Sequence, residues 1–242
     1  VQTAIVIFSK VPLPGKTKSR LQGILSAEEC ALFHRACLID LHRTVQKTAM
    51  KAFLYITGGG REEFALGFPA PVPEEFGELY LLQLEGIAIR QQHGGDLGQR
   101  LYHAADQVLR LHRQVILVGS DLPDLTEDLL LAVVNSLEDH EVVAGPAQDG
   151  GYYLLGLKHA YPVLFQGIDW GTSRVLEQTM QAARGANLRV ALLPFQRDID
   201  TWQDLVAYVR RGRQQKEAER LLSFRLAAHL TAKHGFCWGK DD

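Results

Sequence analysis

Four groups of residues in this chain carry chemistry. Asp121 stands in Gly119-Ser120-Asp121-Leu122-Pro123, directly after the apolar, mostly β-branched run Val115–Val118. Ligands of open α/β sheets bind at the carboxyl ends of strands. A carboxylate placed there suits a hard divalent cation, which takes oxygen ligands; Asp also closes ordinary turns. Asp198 and Asp200 lie two apart after a late apolar run, so an extended backbone points them the same way. Lys10, Lys16, Lys18 and Arg20 crowd a loop with Gly15 after the first apolar run, the kind of basic, glycine-containing loop that holds phosphate. Asp149 precedes Gly150-Gly151 and an aromatic-aliphatic run, where glycines permit positive φ and let amides face a ligand.

Two further positions join these. Gly98 lies in the first turn of a helical pattern, where it costs about 1 kcal/mol relative to Ala; that cost predicts that something comes close to the backbone there. Arg100, one turn in, reaches a phosphate or a base edge, or is simply an exposed helix arginine. Gly15-Lys16-Thr17 matches the end of a GxxxxGK[ST] phosphate loop, but that pattern requires glycine where Lys10 stands, and the loop holds two prolines. A P-loop is therefore excluded.

The elements that must position these groups follow from periodicity. Thr3–Phe8, Ala52–Ile56, Leu79–Leu84, Val115–Val118, Glu141–Ala144, Tyr152–Leu157 and Arg189–Phe195 read as strands. A capping box, Ser26 with Glu29, opens a long helix to about Lys47. Asp96 caps a helix carrying Leu97, Leu101, Ala104 and Val108, Thr126 caps the next, and Ser173 is placed to cap another. Thr201 with Asp204 forms a second capping box, and the chain from Arg210 to Lys233 is helical and charged. The proline-rich stretch 67–77 is a surface loop. Alternating strands and helices give an α/β fold: one domain over 1–242 with a Rossmann-like, doubly wound, mostly parallel sheet and a helical C-terminus from about 210.

Bulk composition narrows the partners. The chain has 242 residues, 46% hydrophobic and 22% charged, with a net charge of -2. That balance does not suggest a nucleic-acid-binding surface, and any basic patch must be local; no apolar run approaches the ~20 residues of a membrane span. Cys30, Cys37 and Cys237 have no CxxC spacing; Cys30 and Cys37 fall on an apolar helical stripe, which fits a reducing cytoplasm. The nine histidines show no HExxH pattern, so a zinc site is not expected.

PGKTKSRL (14–21), GGDLGQRL (94–101), GSDLPDL (119–125) and GPAQDGGYYLLGL (145–157) resemble the nucleotide-diphospho-sugar transferase family of the glycosyltransferase A fold labelled a domain of unknown function. DIDT (198–201) is similar to the closing motif of related nucleotidyltransferases of cofactor biosynthesis. The resemblance runs to about residue 210. It departs at Ser19, where the family more often has Thr, and at Ser120-Asp121-Leu122, which keeps one aspartate of a DxD motif. It implies a transferase that binds a nucleotide or nucleotide-sugar donor with Mg²⁺ or Mn²⁺, and an unidentified small-molecule acceptor. Gly15, Lys16, Lys18, Arg20, Gly98 and Arg100 are the candidate nucleotide and phosphate contacts. Asp121, Asp200 and Asp198 are the candidate metal ligands, and Asp149 the candidate catalytic residue.

Glycosyl transfer from a nucleotide-diphospho-sugar is the first expectation, with Asp149 as acceptor base. Nucleotidyl transfer to a phosphorylated acceptor, releasing pyrophosphate, is the alternative. A non-catalytic nucleotide-binding module ranks third, having no need of three acidic sites. Two geometric expectations and one mutational one follow. Asp121 and Asp200 should lie within about 8 Å, close enough to share a cation or its waters, with Asp198 beside them. At least two of Lys16, Lys18 and Arg20 should face the same cleft. Charge reversal at Lys18 should weaken nucleotide binding strongly and leave folding almost unchanged.

Overall fold

A computed structural model describes residues 3–215 and 218–236; Lys216, Glu217 and Cys237 lie outside them. In chain order the elements are β1 (Thr3–Lys10), α1 (Ala27–Lys47), β2 (Lys51–Thr57), α2 (Arg61–Ala65), β3 (Ala88–Gln91), α3 (Leu97–Leu109), β4 (Gln114–Gly119), α4 (Glu127–Asp139), β5 (Val142–Pro146), β6 (Tyr152–Leu157), α5 (Val175–Gly185), β7 (Val190–Leu192), α6 (Trp202–Arg213) and α7 (Leu222–Lys233), with short 3-10 turns between some of them. One sheet of seven strands has the order β3-β2-β1-β4-β6-β5-β7. All pairings are parallel except those of β6, which runs antiparallel to β4 and β5. The expected doubly wound α/β sheet and helical C-terminus are both present.

The two faces of β1 show why the sheet is central. Ile5 and Ile7 pack into a core with α1, α4, α6 and α7. Ala4, Val6 and Phe8 pack on the opposite side with α3 and α5. Burial of each large apolar side chain contributes about 1.5–3 kcal/mol, so a strand apolar on both faces belongs in the middle of two helix layers. Both capping boxes form as expected, and Asp96 and Thr126 cap α3 and α4. Buried Asp40 of α1 accepts from the amides of Leu222 (3.0 Å) and Ser223 (2.7 Å). It thereby satisfies the orphan donors at the start of α7 and ties the C-terminal helix to α1.

Three local expectations are corrected. The third strand is Ala88–Gln91, not Leu79–Leu84. Leu79 and Leu82 are buried three residues apart while Tyr80 and Leu81 are exposed, which is turn spacing and not strand alternation. The helix after residue 173 is preceded by Arg174 and has no side-chain cap; a Cβ on Gly150 would collide with the backbone of Ser173, so that serine packs against the loop of Asp149 instead. The late strand spans only Val190–Leu192.

The chain leaves β1 outward to β2 and β3, then returns to β4 on the other side of β1. Between the carboxyl ends of β1 and β4 lies the switch point of the sheet. At such a point the connections leave in opposite directions along the sheet, which makes the gap the natural ligand crevice.

Candidate functional site

The crevice at the switch point has two chambers that meet at Phe8, Leu97 and Asp121. The first, about 360 Å³, is lined by the ends of β1, β2 and β4 and by the basic loop. Lys10, Lys18, Arg20 and Arg100 face it, with Asp121 and Asp200. The second, about 300 Å³, is lined by Asp121, Asp149 and Asp198 together with Phe8, Tyr152 and Trp170.

Lys18 organises the first chamber. The basic loop brings it there through a left-handed backbone at Lys18 itself, φ 48°, a conformation a non-glycine residue adopts only when its surroundings hold it. Its ammonium stands 2.5 Å from Oδ1 of Asp121 and 3.8 Å from Oδ1 of Asp200. It also donates to the carbonyl of Ile199 at 2.5 Å. Two legs through one ammonium put Asp121 and Asp200 well inside the separation expected of them. Ile199 N donates in turn to the carbonyl of Asp121 at 3.1 Å, which stitches the 198–200 segment onto the loop after β4. Arg20 pairs with Oδ2 of Asp200 at 3.2 Å.

These contacts set the charge states. Burial raises the Asp121 carboxyl, but its neighbours, Lys18 first and then His34 and Lys10, together hold it below the usual carboxylate range. Burial lowers Lys18, and the two carboxylates reverse the direction, so it is held above its ordinary value and charged. Burial raises Asp200 against the opposing pull of Lys18. Asp198 is pushed up to about 6 by burial and then by the negative charges of Asp149, Asp200 and Asp121.

A residue that sequence reading missed holds the loop in place. His34 of α1 is 2% exposed. Its Nε2 lies 3.0 Å from the hydroxyls of Ser9 and Ser120, and its Nδ1 lies 2.5 Å from the hydroxyl of Thr17. Ser9 Oγ donates to the carbonyl of Lys10, so Nε2 carries the ring proton and Nδ1 accepts from Thr17. One imidazole thus joins the end of β1, the basic loop and the end of β4. Burial pushes its pKa down to about 4, keeping it neutral. A histidine interrupting the apolar run Ala31-Leu32-Phe33-His34 was the available signal.

The expected site residues separate as follows. Lys18, Arg20, Arg100, Asp121 and Asp200 line the first chamber together, so two of the three loop cations face the cleft. Gly15 and Lys16 are exposed at the loop tip and are not among its lining; Gly15, φ 76°, makes the turn. Arg100 also donates to the carbonyl of Gly94 at 3.0 Å. Gly98 is corrected: a Cβ there would collide with the carbonyl of Phe165 and the indole of Trp170. Its space is taken by protein and not left for a ligand. Asp198 lines the second chamber together with Asp121, and the negative charges of Asp149, Asp200 and Asp121 reach it there. Asp124 pairs with Arg211 at 3.6 Å, away from both chambers. Asp149 is exposed and accepts from Gly151 N at 2.8 Å. A Lys18 side chain 3% exposed with three partners argues that charge reversal there costs stability as well as nucleotide binding.

Among the described residues no three His, Cys, Asp or Glu side chains converge as a ready-made metal cage. Asp121 and Asp200 nevertheless offer two oxygen donors around one cation, Lys18. That suits an ion such as Mg²⁺, which takes one or two carboxylates and completes its shell with phosphate oxygens and water.

Comparison with known proteins agrees with this architecture. Residues 41–172 match the model of a family described as an uncharacterized protein conserved in bacteria, domain of unknown function 2064. The chain belongs to this family. A candidate nucleotide-diphospho-sugar transferase from Desulfovibrio desulfuricans G20 is similar in structure, with a TM-score of 0.80 and 30% identity over 96% of each chain. A 2-phospho-L-lactate guanylyltransferase from Methanoculleus marisnigri is 26% identical over 211 residues, 86% of this chain and 83% of that one. The 4-diphosphocytidyl-2C-methyl-D-erythritol synthase of Anaerococcus prevotii shares the fold, with a TM-score of 0.52 and 11% identity over 86% of this chain and 97% of that one. Among the described residues no helix is long and apolar enough to cross a membrane.

Proposed function

We propose that this protein is a metal-assisted transferase that holds a nucleotide-activated donor at the switch point and passes its sugar to a small-molecule acceptor. The observation that carries this reading is the division of one crevice into a cationic chamber and an acidic, aromatic one that meet at Asp121. Lys10, Lys18, Arg20 and Arg100 line the cationic chamber and would neutralise the donor's phosphates. Asp121 and Asp200 would hold Mg²⁺ or Mn²⁺, which supplies positive charge for the leaving diphosphate. Lys18 would then exchange its carboxylate partners for phosphate oxygens.

The transfer needs a base. Asp149 is exposed at the second chamber and would take the proton of the acceptor hydroxyl as its oxygen attacks the anomeric carbon. The bond from that carbon to the β-phosphate oxygen breaks, and its electron pair leaves with the nucleoside diphosphate. His34, buried and neutral, would contribute by fixing the phosphate-binding loop and not by proton transfer. Cys30 and Cys37 are free and buried, which favours a reducing compartment such as the cytoplasm.

Similarity to a guanylyltransferase over most of the chain favours a second reading, nucleotidyl transfer. There an acceptor phosphate attacks the α-phosphorus of a nucleoside triphosphate and pyrophosphate leaves. One experiment separates the readings. The thermal midpoint is measured with each NTP plus Mg²⁺ and each nucleotide-diphospho-sugar plus Mn²⁺, since a bound ligand raises it by mass action. Products are then assayed with the preferred donor and a panel of acceptors. Release of nucleoside diphosphate supports glycosyl transfer; release of pyrophosphate supports the second reading. A nucleotide that binds and never turns over supports a binding module.

A further inference from the structure

The two chambers differ in charge as well as in shape. The first is lined by four cationic side chains against two carboxylates. The second is lined by Asp121, Asp149 and Asp198 and, among the described residues, by no Lys, Arg or His. The pair best placed to share a cation, Asp121 and Asp200, is already bridged by Lys18. Asp149 and Asp198 have no such partner among the residues lining their chamber.

Aromatic and aliphatic surface makes up much of the rest of the second chamber. Phe8 enters from β1, Tyr152 from β6 and Trp170 from the loop before α5, with Leu97 and Leu101 of α3 alongside. The Tyr152 and Trp170 rings meet edge to face, centroids 6.3 Å apart. Gly98 lets the Trp170 indole close on the first turn of α3, so the aromatic wall is a built feature. An apolar wall beside carboxylate acceptors receives the C–H face of a ring while the ring's hydroxyls donate to the carboxylates. A phosphate or carboxylate there would meet like charge in a partly desolvated space, which disfavours it strongly.

We propose that the second chamber is a subsite for a hydroxyl-bearing ring without phosphate or carboxylate, either a neutral sugar or an amino sugar. The proposal rests on the reading of the first chamber as a phosphate site and deepens it: the charged end of the donor and the ring occupy opposite ends of one crevice. It also separates this chain from enzymes whose acceptor carries its own phosphate.

The test is ligand-observed NMR on the full chain in the presence of a saturating nucleoside diphosphate, which keeps phosphorylated probes out of the first chamber, with matched probes: methyl glucoside, glucosamine, glucose 6-phosphate and 2-phosphoglycerate. The neutral or amino sugar should bind at least about tenfold more tightly than the phosphorylated probes, a difference worth about 1.4 kcal/mol. Trp170→Ala should abolish that binding. Because Trp170 also packs on Gly98, the double change Asp149→Asn with Asp198→Asn is a second probe; it should narrow the gap between glucose 6-phosphate and methyl glucoside. A phosphorylated probe that binds the wild type as tightly as the sugars overturns the proposal, and so does a panel in which nothing binds. Nucleotide titration of the same proteins keeps the two claims apart. Nucleotide binding with a phosphate-preferring second chamber defeats only this inference. Sugar binding without any nucleotide binding defeats only the reading of the first chamber.

Discussion

The ammonium of Lys18 stands 2.5 Å from the Asp121 carboxylate and 3.8 Å from that of Asp200, although 182 residues of chain separate Lys18 from Asp200. A buried cation therefore bridges the carboxylate pair, closer to Asp121. Lys18→Ala leaves Asp121 without its ammonium partner and Asp200 with Arg20 alone. Asp121 is half exposed, so water screens part of the cost, and a loss on the order of 1–3 kcal/mol is expected. Nucleotide affinity should fall at least about tenfold beyond anything explained by unfolding. Chemical denaturation and nucleotide titration of the variant check both. Unchanged nucleotide affinity with lowered stability would make Lys18 a structural strut alone.

His34 predicts a pH dependence. Its folded pKa is pushed down to about 4 by burial, with Lys18 and Lys10 adding to the shift and Asp121 opposing it. Unfolded, it titrates near the ordinary value of about 6.5. Between those values the unfolded chain binds a proton that the folded chain refuses. This contribution is therefore fully present above about pH 6.5 and is lost as the pH falls toward 4, on the order of 3 kcal/mol in all. Urea unfolding at a series of pH values should show wild-type stability falling through this window more steeply than that of His34→Gln, which has no proton to gain. Parallel curves for the two proteins would remove His34 from the account.

The sheet and the Asp121–Asp200 pairing were legible because both rest on local pattern plus one general rule. Val115–Val118 reads as a buried strand from four residues, and the crevice rule places whatever follows it. β3 was not legible: Ala88-Ile89-Arg90-Gln91 is a half-buried edge strand with neither alternation nor an apolar run. Leu79–Leu84 is more apolar and attracted the assignment. His34 was hidden for another reason. Its hydroxyl partners lie 25, 17 and 86 residues away, and only the folded chain brings them to one ring. Gly98 gave a correct signal with the wrong cause: something does approach its backbone closely, but it is Trp170 and the Phe165 carbonyl.

Gly98→Ala should accordingly act through packing. The added methyl meets backbone and a large ring, neither of which yields easily, and overpacking of this kind costs typically about 1–3 kcal/mol. The gain in helix propensity, about 1 kcal/mol, offsets only part. A thermal midpoint below wild type with ordinary nucleotide affinity per folded molecule is expected. Raised stability together with lost nucleotide binding would restore the ligand explanation.

Asp149 decides whether the second chamber does chemistry. The carboxylate is exposed, and one oxygen accepts the Gly151 amide at 2.8 Å. Asp149→Asn keeps an oxygen that can accept the same bond, so the loop should survive, with a stability change within about 0.5 kcal/mol as for other surface substitutions. The amide cannot take a proton from an acceptor hydroxyl. If Asp149 is the base, turnover should fall about 10²–10⁴-fold while donor affinity stays within about twofold, because in the proposed reading the donor's phosphates would bind in the other chamber. Steady-state kinetics on the preferred donor and acceptor, read beside a melting curve, measure both quantities. Retained turnover in a normally folded variant would leave Asp149 a turn-closing residue. The proton would then have to pass to another group at the chamber, of which Asp198, raised to about 6 by its burial and its acidic neighbours, is the one already tuned toward neutral pH.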